Sequence, residues 1–339
     1  MTKIKPMLIA VAIGLIGATL ATLAGIPAGA LVGSALAVSV AAALHAPLAM
    51  NDVVRNLAIT IIGVTLGAGI DSDTLAVADT YALSLVLMIL SLLITLLAGS
   101  ALLRLFFNTD RDTSVLATCP GTLAYAVTMA IEGRGDATTV MVLQVLRLLL
   151  LVSTVPLLAA LLGEPVVSAV TPTDLSLPAM AILLLLTMGL GAVGSRFRIP
   201  VAYLIAGILI SAVAHAADIV EGRPPPWVLF IGFTITGTTL GIRLKAIARA
   251  DLYRLAGAGV ALVACTILIS VAFASLTAYL TGLSLNQVWI AYAPGGVEAM
   301  AAIGLALGYD PAYVALHHFA RIVFLLVLVP FILGRNAPT

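Results

Sequence analysis

Charged side chains are scarce in this chain. Asp, Glu, Lys and Arg make up 9% of the 339 residues, whereas 62% are hydrophobic. Together with a mean hydropathy of +1.20, this composition excludes a water-soluble domain and indicates a polytopic membrane protein in contact with the lipid bilayer. The formal net charge is +1 and no basic cluster lies away from the membrane loops, so no nucleic-acid partner is expected.

Cysteine and histidine are also rare, with two and four residues. Both cysteines, Cys119 and Cys265, fall in apolar segments, so neither a disulfide framework nor a cysteine metal site is predicted. His317 and His318 are adjacent, but neighbouring helical residues point about 100° apart and no third ligand is near in the sequence. We therefore expect no metal site, no cofactor and no enzymatic activity.

Twelve apolar segments are long enough to be read as membrane helices. The first of them, after Lys3 and Lys5, resembles a signal peptide, but the second begins almost at once, which favours an uncleaved span.

Arg147 and Arg321 each lie near the middle of an apolar segment, 174 positions apart. The sequence repeats at that offset: Cys119-Pro120-Gly121-Thr122 precedes the first arginine, and Ala293-Pro294-Gly295-Gly296 precedes the second. Residues 63–67 (Gly-Val-Thr-Leu-Gly) likewise recur as residues 237–241 (Gly-Thr-Thr-Leu-Gly). The chain is therefore predicted to contain two membrane repeats, 1–163 and 164–339. Because an arginine at the bilayer centre costs at least about 2.5 kcal/mol, a matched pair indicates function.

Basic residues indicate how the segments cross. If all twelve crossed, each side of the membrane would hold seven basic residues, against the positive-inside rule. If the fifth and eleventh segments, which carry Pro-Gly, return on their own side, thirteen face the cytoplasm and only Arg223 faces out. Five crossings then remain per half, so the halves are predicted to be inverted, with both termini cytoplasmic in a bacterial-type inner membrane.

The predicted fold is all-α, with about five spanning helices and one Pro-Gly-broken helix in each inverted repeat, re-entrant or discontinuous. Proline removes a backbone donor and glycine permits a sharp turn, although a kinked continuous helix is the alternative. Inverted repeats with broken helices are typical of secondary transporters, whose substrate site lies at the repeat interface.

Each arginine is about ten residues into its span, roughly 15 Å deep at 1.5 Å per residue. Gln144 and His318 each lie three residues before an arginine, on the same helix face. Two guanidinium groups and the N-termini of two half-helices favour a small organic anion as substrate. The predicted substrate-binding residues are Pro120, Gly121, Thr122, Gln144, Arg147, Pro294, Gly295, Gly296 and Arg321.

Glu298 and His318 are predicted to carry the coupling proton, and His317 is a further candidate. Their counterparts in the first half are Ala124 and Gln144, so titratable groups occur in the second half only. A carboxyl group removed from water protonates more readily, and histidine titrates near neutral pH. The alternative is a static buried ion pair between Glu298 and Arg321 or Arg147.

Residues 119–156 and 292–330, each a Pro-Gly element followed by an arginine-bearing span that ends in Val-Pro, resemble the AbrB-type duplicated membrane protein family. The resemblance covers essentially the whole chain. Members are labelled as ammonia monooxygenases or transcriptional regulators, and the family is similar to the cation/proton antiporter and anion transporter superfamily. The resemblance therefore implies a transporter fold without an established substrate.

Three functions remain open: a proton-coupled secondary transporter, which is favoured, an inner-membrane regulator or sensor that influences gene expression indirectly, and a metal-dependent monooxygenase. The last would need a convergent cluster of histidines and carboxylates, and the chain has only four histidines. A homodimer is left open as the assembly.

Overall fold

The fold is all-α in the part of the chain that the computed structural model describes, residues 4–69, 78–119, 123–162, 174–197, 199 and 201–333. Fourteen α-helices and one 3-10 turn lie there, with an isolated bridge between Asp174 and Arg223. The predicted site residues Pro120, Gly121 and Thr122 lie outside the described residues.

The first half of the chain contributes seven helices: α1 (Ile4–Leu23), α2 (Gly29–Ala43), α3 (Asp52–Gly67), α4 (Ala78–Phe107), α5 (Arg111–Thr118), α6 (Leu123–Ile131) and α7 (Ala137–Leu162). The second half contributes seven more: α8 (Leu177–Arg196), α9 (Ala202–Ala216), α10 (Pro226–Ile242), α11 (Arg249–Thr281), α12 (Leu285–Tyr292), α13 (Val297–Ala306) and α14 (Pro311–Leu333). The helices correspond one to one, and α5, α6 and α7 begin 174 residues before α12, α13 and α14.

Seven described helices are long and apolar enough to cross a membrane: α1, α4, α7, α8, α10 with its 3-10 extension, α11 and α14. Three shorter apolar helices, α2, α9 and α13, accompany them. The chain therefore has the helices of a multi-pass membrane protein. The fifth and eleventh predicted segments are each split into two short helices, α5 with α6 and α12 with α13.

The chain divides into two compact units that do not coincide with its two halves. Unit 1 comprises Met1–Asp79, Pro156–Lys245 and Val297–Ala315, and unit 2 comprises Thr80–Val155, Ala246–Gly296 and Leu316–Thr339. Each unit therefore takes helices from both predicted repeats. The boundary between the repeats at 163/164 stays a prediction, because it divides the chain by its sequence duplication. The two compact units divide the chain by contacts in space.

Within unit 1, helices of one half pack against helices of the other half. Helix α3 packs against α9 of the other half, and α10 packs against α2 of the first half. The shared Gly-x-Thr-Leu-Gly motif lies at both interfaces. A Cβ added at Gly63 would lie 2.6 Å from the backbone oxygen of Leu204, and one at Gly241 would lie 2.7 Å from that of Ala35. The motif is conserved between the halves because glycine lets two backbones approach this closely.

Unit 2 contains both helices that precede a break, α5 and α12, together with the long helices α4 and α11. One apolar cluster joins residues around the first break to α14 of the second half: Leu96, Val115, Leu116, Cys119, Ala126, Ala130, Val140, Leu325, Val329 and Leu333. The C-terminal end of α14 is also held from the first half, because Arg134 donates to the carbonyl of Leu333 at 2.7 Å and Arg111 to that of Ile332 at 3.1 Å. The arginine-bearing helix is therefore fixed beside the opposite repeat.

Candidate functional site

The two helices that precede the breaks end with the same backbone geometry. Helix α5 ends at Thr118 and Cys119 follows with φ −57° and ψ 114°, while α12 ends at Tyr292 and Ala293 follows with φ −55° and ψ 125°. In both places the next residue in the sequence is proline, which disfavours the helical region for the residue before it. Each helix end therefore leaves carbonyl groups without an intrahelical donor.

Asp110 begins the first of these two short helices. Its carboxylate accepts a hydrogen bond from the backbone N–H of Thr113 at 2.8 Å, and Ser284 holds the same position before α12. Burial raises the pKa of Asp110, but hydrogen bonds from the hydroxyl and backbone of Thr113 lower it by more in total, so this pKa lies below its ordinary value. The cap fixes where α5 starts.

Arg321 binds the carbonyl groups of the second break. It lies fully buried on α14, and its Nη1 donates to the carbonyl oxygen of Ala293 at 2.7 Å. Its Nη2 donates to the carbonyl oxygen of Gly295, also at 2.7 Å. The guanidinium group thus supplies donors that the helix end lacks, and its charge is favourable at a helix C-terminus.

Arg147 does the same at the first break. Its Nη1 donates to the carbonyl oxygens of Thr118 at 3.0 Å and Cys119 at 3.3 Å. Its Nη2 also reaches Cys119, at 3.2 Å, and donates to the side-chain oxygen of Gln144 at 2.6 Å. The separation from Cys119 to Arg147 is 28 residues, as is that from Ala293 to Arg321. The duplicated feature is therefore an arginine bound to a broken helix end.

Neither guanidinium charge is neutralised by a carboxylate of its own unit. The described residues of unit 2 place no Asp or Glu oxygen within 4.0 Å of Arg147 or Arg321, and the described ion pairs are Asp52–Arg55 and Asp251–Arg254. The two guanidinium groups lie close enough to repel each other electrostatically. The Nε atom of each is buried without a hydrogen-bond partner. Unit 2 therefore holds two like charges and two free buried donors.

The chain is similar in sequence to known proteins. A sequence profile described as "Transition state regulatory protein AbrB" matches residues 30–335. The chain belongs to the AbrB family.

Two AbrB-family relatives are similar over most of their length. "Uncharacterized protein YhjN" of Bacillus subtilis (strain 168) is 28% identical over 293 residues, which cover 80% of this chain and 75% of that protein. "Putative regulator AbrB" of Escherichia coli (strain K12) is 25% identical over 264 residues, covering 76% and 75%. The family assignment predicted from the two Pro-Gly and arginine blocks is therefore confirmed.

In this AbrB-family chain the polar residue before each arginine differs between the halves. The side-chain amide of Gln144 donates to the carbonyl oxygens of Leu116 at 2.7 Å and Cys119 at 2.9 Å. His318 faces the backbone of Ile290, which is the counterpart of Leu116, but both ring nitrogens are buried outside hydrogen-bond geometry. The first break is thus held by two side chains and the second by the arginine.

Glu298 belongs to unit 1. It is half-buried in the first turn of α13, where an acidic side chain is favoured by the helix dipole. Helix α13 belongs to unit 1 and packs against α2, α3 and α10. The predicted roles of Glu298 in proton coupling or in a static ion pair both stay predictions.

The site has two features that the sequence reasoning missed. The first is the capping of the broken helix ends by the arginines, for which the shared 28-residue spacing was the available signal. The second is the set of partners of His317, whose Nε2 lies 2.8 Å from the hydroxyl of Ser84 and whose ring stacks on Tyr292. The described residues contain no group of three His, Cys, Asp or Glu side chains that suits a metal.

Proposed function

We propose that the protein is a secondary transporter of a small organic anion, coupled to protons, with alternating access at the repeat interface. The observation that carries the proposal is the pair of buried arginines in unit 2, each bound to a broken helix end and neither neutralised by a carboxylate of that unit. Such an arrangement is costly in a membrane unless it is used. Helix breaks are typical of transporter binding sites.

The chemistry of the two arginines favours an anion. Their Nη atoms are engaged with carbonyl oxygens, but each retains an unpartnered Nε–H donor. A carboxylate that accepts these donors would also reduce the repulsion between the two guanidinium groups. The substrate would then contribute the negative charge that the described residues of unit 2 do not place there.

The inverted arrangement of the halves is part of the proposal. The packing of α3 against α9 and of α10 against α2 supports a two-fold relation between the halves. The distribution of basic residues favours inversion. Position 134 should then face the cytoplasm. Cysteine introduced at Arg134, in a background without Cys119 and Cys265, is expected to react with a membrane-impermeant thiol reagent only in inside-out vesicles. Labelling from the outer face of intact cells would contradict the inversion.

Transport is tested directly in proteoliposomes. A thermal-shift screen with acetate, lactate, succinate and citrate selects the carboxylate, since a ligand at 100 times its Kd stabilises the native state by about 2.7 kcal/mol. Flux of that carboxylate is then measured with and without a pH gradient, with sulfate as the control anion. Absence of flux for every carboxylate that stabilises the protein would favour the other function.

That other function is an inner-membrane sensor that influences gene expression without moving its ligand. It is favoured by the names of the matched profile and of the Escherichia coli relative, both of which describe regulators. A sensor would bind the carboxylate and show no flux, so the same experiment separates the two proposals.

Glu298→Gln is expected to leave carboxylate binding intact and to remove the response of flux to a pH gradient. The reason is that release of a proton from Glu298 would be linked reciprocally to substrate occupancy. Glu132, an exposed acid after α6, provides the matched control as Glu132→Gln. If Glu298→Gln still accumulates the carboxylate with the pH dependence of the wild type, Glu298 carries no coupling proton.

A further inference from the structure

A buried polar cluster lies beside the second helix break in unit 2. The hydroxyl of Tyr292, the last residue of α12, donates to the carbonyl oxygen of Ser84 at 2.5 Å and lies 2.8 Å from the hydroxyl of Thr277. The Ser84 hydroxyl lies 3.3 Å from that of Tyr292 and 2.8 Å from Nε2 of His317. Four side chains from α4, α11, α12 and α14 thus form one continuous chain of polar groups.

Three of the four cluster positions are apolar in the first half, and the fourth, that of Tyr292, is Thr118. At the offset of 174, Ser84 corresponds to Ala258, Thr277 to Leu103, His317 to Leu143 and the neighbouring Tyr81 to Leu255. These four apolar counterparts belong to one buried apolar cluster of unit 2, with Ala117, Val142 and Leu262. The duplication therefore contains the same packing site twice, once with Thr118 as its one polar counterpart and once as a hydrogen-bonded network.

The apolar version shows what the fold alone needs at this position. Burying an imidazole and three hydroxyl groups carries a larger desolvation cost than burying two leucines, an alanine and one threonine hydroxyl. A fully hydrogen-bonded network offsets that cost but does not improve on a well-packed apolar core. The polar version is therefore explained by a use that the first half does not have.

The cluster accepts a proton without leaving any of its members unpaired. With neutral His317, the Ser84 hydroxyl donates to Nε2. With a proton added at Nε2, that N–H donates to the Ser84 oxygen, and the Ser84 hydroxyl turns to the oxygen of Tyr292. The Tyr292 hydroxyl keeps the Ser84 carbonyl as its acceptor, and Thr277 keeps that of Phe273 at 2.9 Å. One proton is gained, the hydrogen bond between Ser84 and His317 reverses its direction, and the other donors stay in place.

The surroundings of His317 suit reversible protonation. The ring of Tyr292 stacks on it at a centroid distance of 6.1 Å, and that of Tyr81 meets it edge-on at 6.4 Å. An aromatic face at about 6 Å attracts a cation. On α14 itself His318 is the next residue, and Arg321 lies one turn further on. A proton on His317 is therefore stabilised by the face of the Tyr292 ring and opposed by the guanidinium that holds the break.

We propose that His317, with Ser84, Tyr292 and Thr277, forms a buried proton-binding site beside the second helix break. The site rests on the proposed transport function only for the use of its proton. A bound proton would weaken the hold of Arg321 on the break by electrostatic repulsion, and its release would restore that hold. Proton binding itself is a property of the purified protein and is measured without a substrate.

The test is a pH titration of the protein labelled with isotopes in its histidines and followed by NMR in lipid nanodiscs. Single substitutions assign the four signals: His317→Leu, which installs the residue of the first half, His318→Gln, which does the same, His215→Gln and His45→Asn. The His317 signal is expected to titrate reversibly within about pH 4 to 9. Ser84→Ala, again the residue of the first half, is expected to move its midpoint by about half a pH unit or more.

A His317 signal that stays constant over that pH range would overturn the proposal, and so would a midpoint unaffected by both Ser84→Ala and Tyr292→Phe. These two variants keep the histidine, so the test stands even if His317→Leu does not fold. If His317 titrates but the protein transports no carboxylate, the proposed transport function is wrong and the proton site stands. Carboxylate flux driven by a pH gradient, with a silent His317, would do the reverse.

Discussion

Replacing Arg321 with methionine is expected to destabilise the protein by about 1–3 kcal/mol more than replacing Arg147 with methionine. Both changes remove one fully buried guanidinium group from matching positions, so the desolvation recovered is similar. They differ in the carbonyl groups left behind. Arg321→Met removes the side-chain hydrogen bonds to the carbonyl oxygens of Ala293 and Gly295, and the first of these keeps only the backbone N–H of Gly295. After Arg147→Met the side-chain amide of Gln144 still donates to the carbonyl oxygens of Cys119 and Leu116.

Equilibrium unfolding in mixed lipid–detergent micelles measures this difference. Arg104→Met, at an exposed position of α4, is the matched control and should have little effect. The double variant Gln144→Leu/Arg147→Met removes both side chains that hold the first break and should lose as much stability as Arg321→Met. Equal losses for the two single arginine variants would show that Gln144 gives no independent support.

Gly63→Ala is expected to cost about 1–3 kcal/mol, as overpacking typically does. The new methyl group would lie 2.6 Å from the backbone oxygen of Leu204 and 3.1 Å from the Cα of Gly207. Both neighbours are backbone atoms of α9, so relief requires a movement of the whole helix. Gly241→Ala should behave in the same way against Ala35 on α2, because the interface is repeated.

Gly189→Ala is the control for these substitutions. It lies at an exposed position of α8, and an added Cβ would have no atom within 4 Å. Alanine there should stabilise the helix by roughly 0.5–1 kcal/mol, since glycine loses more backbone entropy on folding. The same unfolding assay compares the three variants, and a Gly63→Ala protein as stable as Gly189→Ala would mean that the α3–α9 contact is looser than described.

Much of the fold follows from local signals in the sequence. Apolar runs predict the helices, and the Pro-Gly elements predict where they stop, because proline restricts the residue before it. The depth of the arginines was also predictable, since Arg147 and Arg321 lie about ten residues into α7 and α14. These features depend on residues close to one another in the chain.

The remaining features depend on residues far apart. Which helices share a compact unit is decided by small residues that fit remote backbones, as at Gly63 and Leu204, and no local pattern carries that information. The partners of the arginines were missed for a related reason. A midplane arginine was interpreted as a ligand for an anion, whereas most of its donors are bound to carbonyl oxygens left free by the breaks. The hydrogen-bonded cluster at His317 becomes visible only when the two halves are compared position by position.

The packing of helices from different halves in unit 1 has a consequence for how the chain is synthesised. The hydroxyl of Ser211 donates to the carbonyl oxygen of Val64, 147 residues earlier in the sequence. Helix α2 likewise packs against α10, which lies in the second half of the chain. During synthesis α2 and α3 therefore lack these partners until the chain has been made as far as Ile242, the end of α10. A gene cut between the halves would yield two fragments that each lack these partners, and co-expression should restore a protein that neither fragment forms alone. An ancestor of half the length would have met the same requirement by pairing with a second copy of itself.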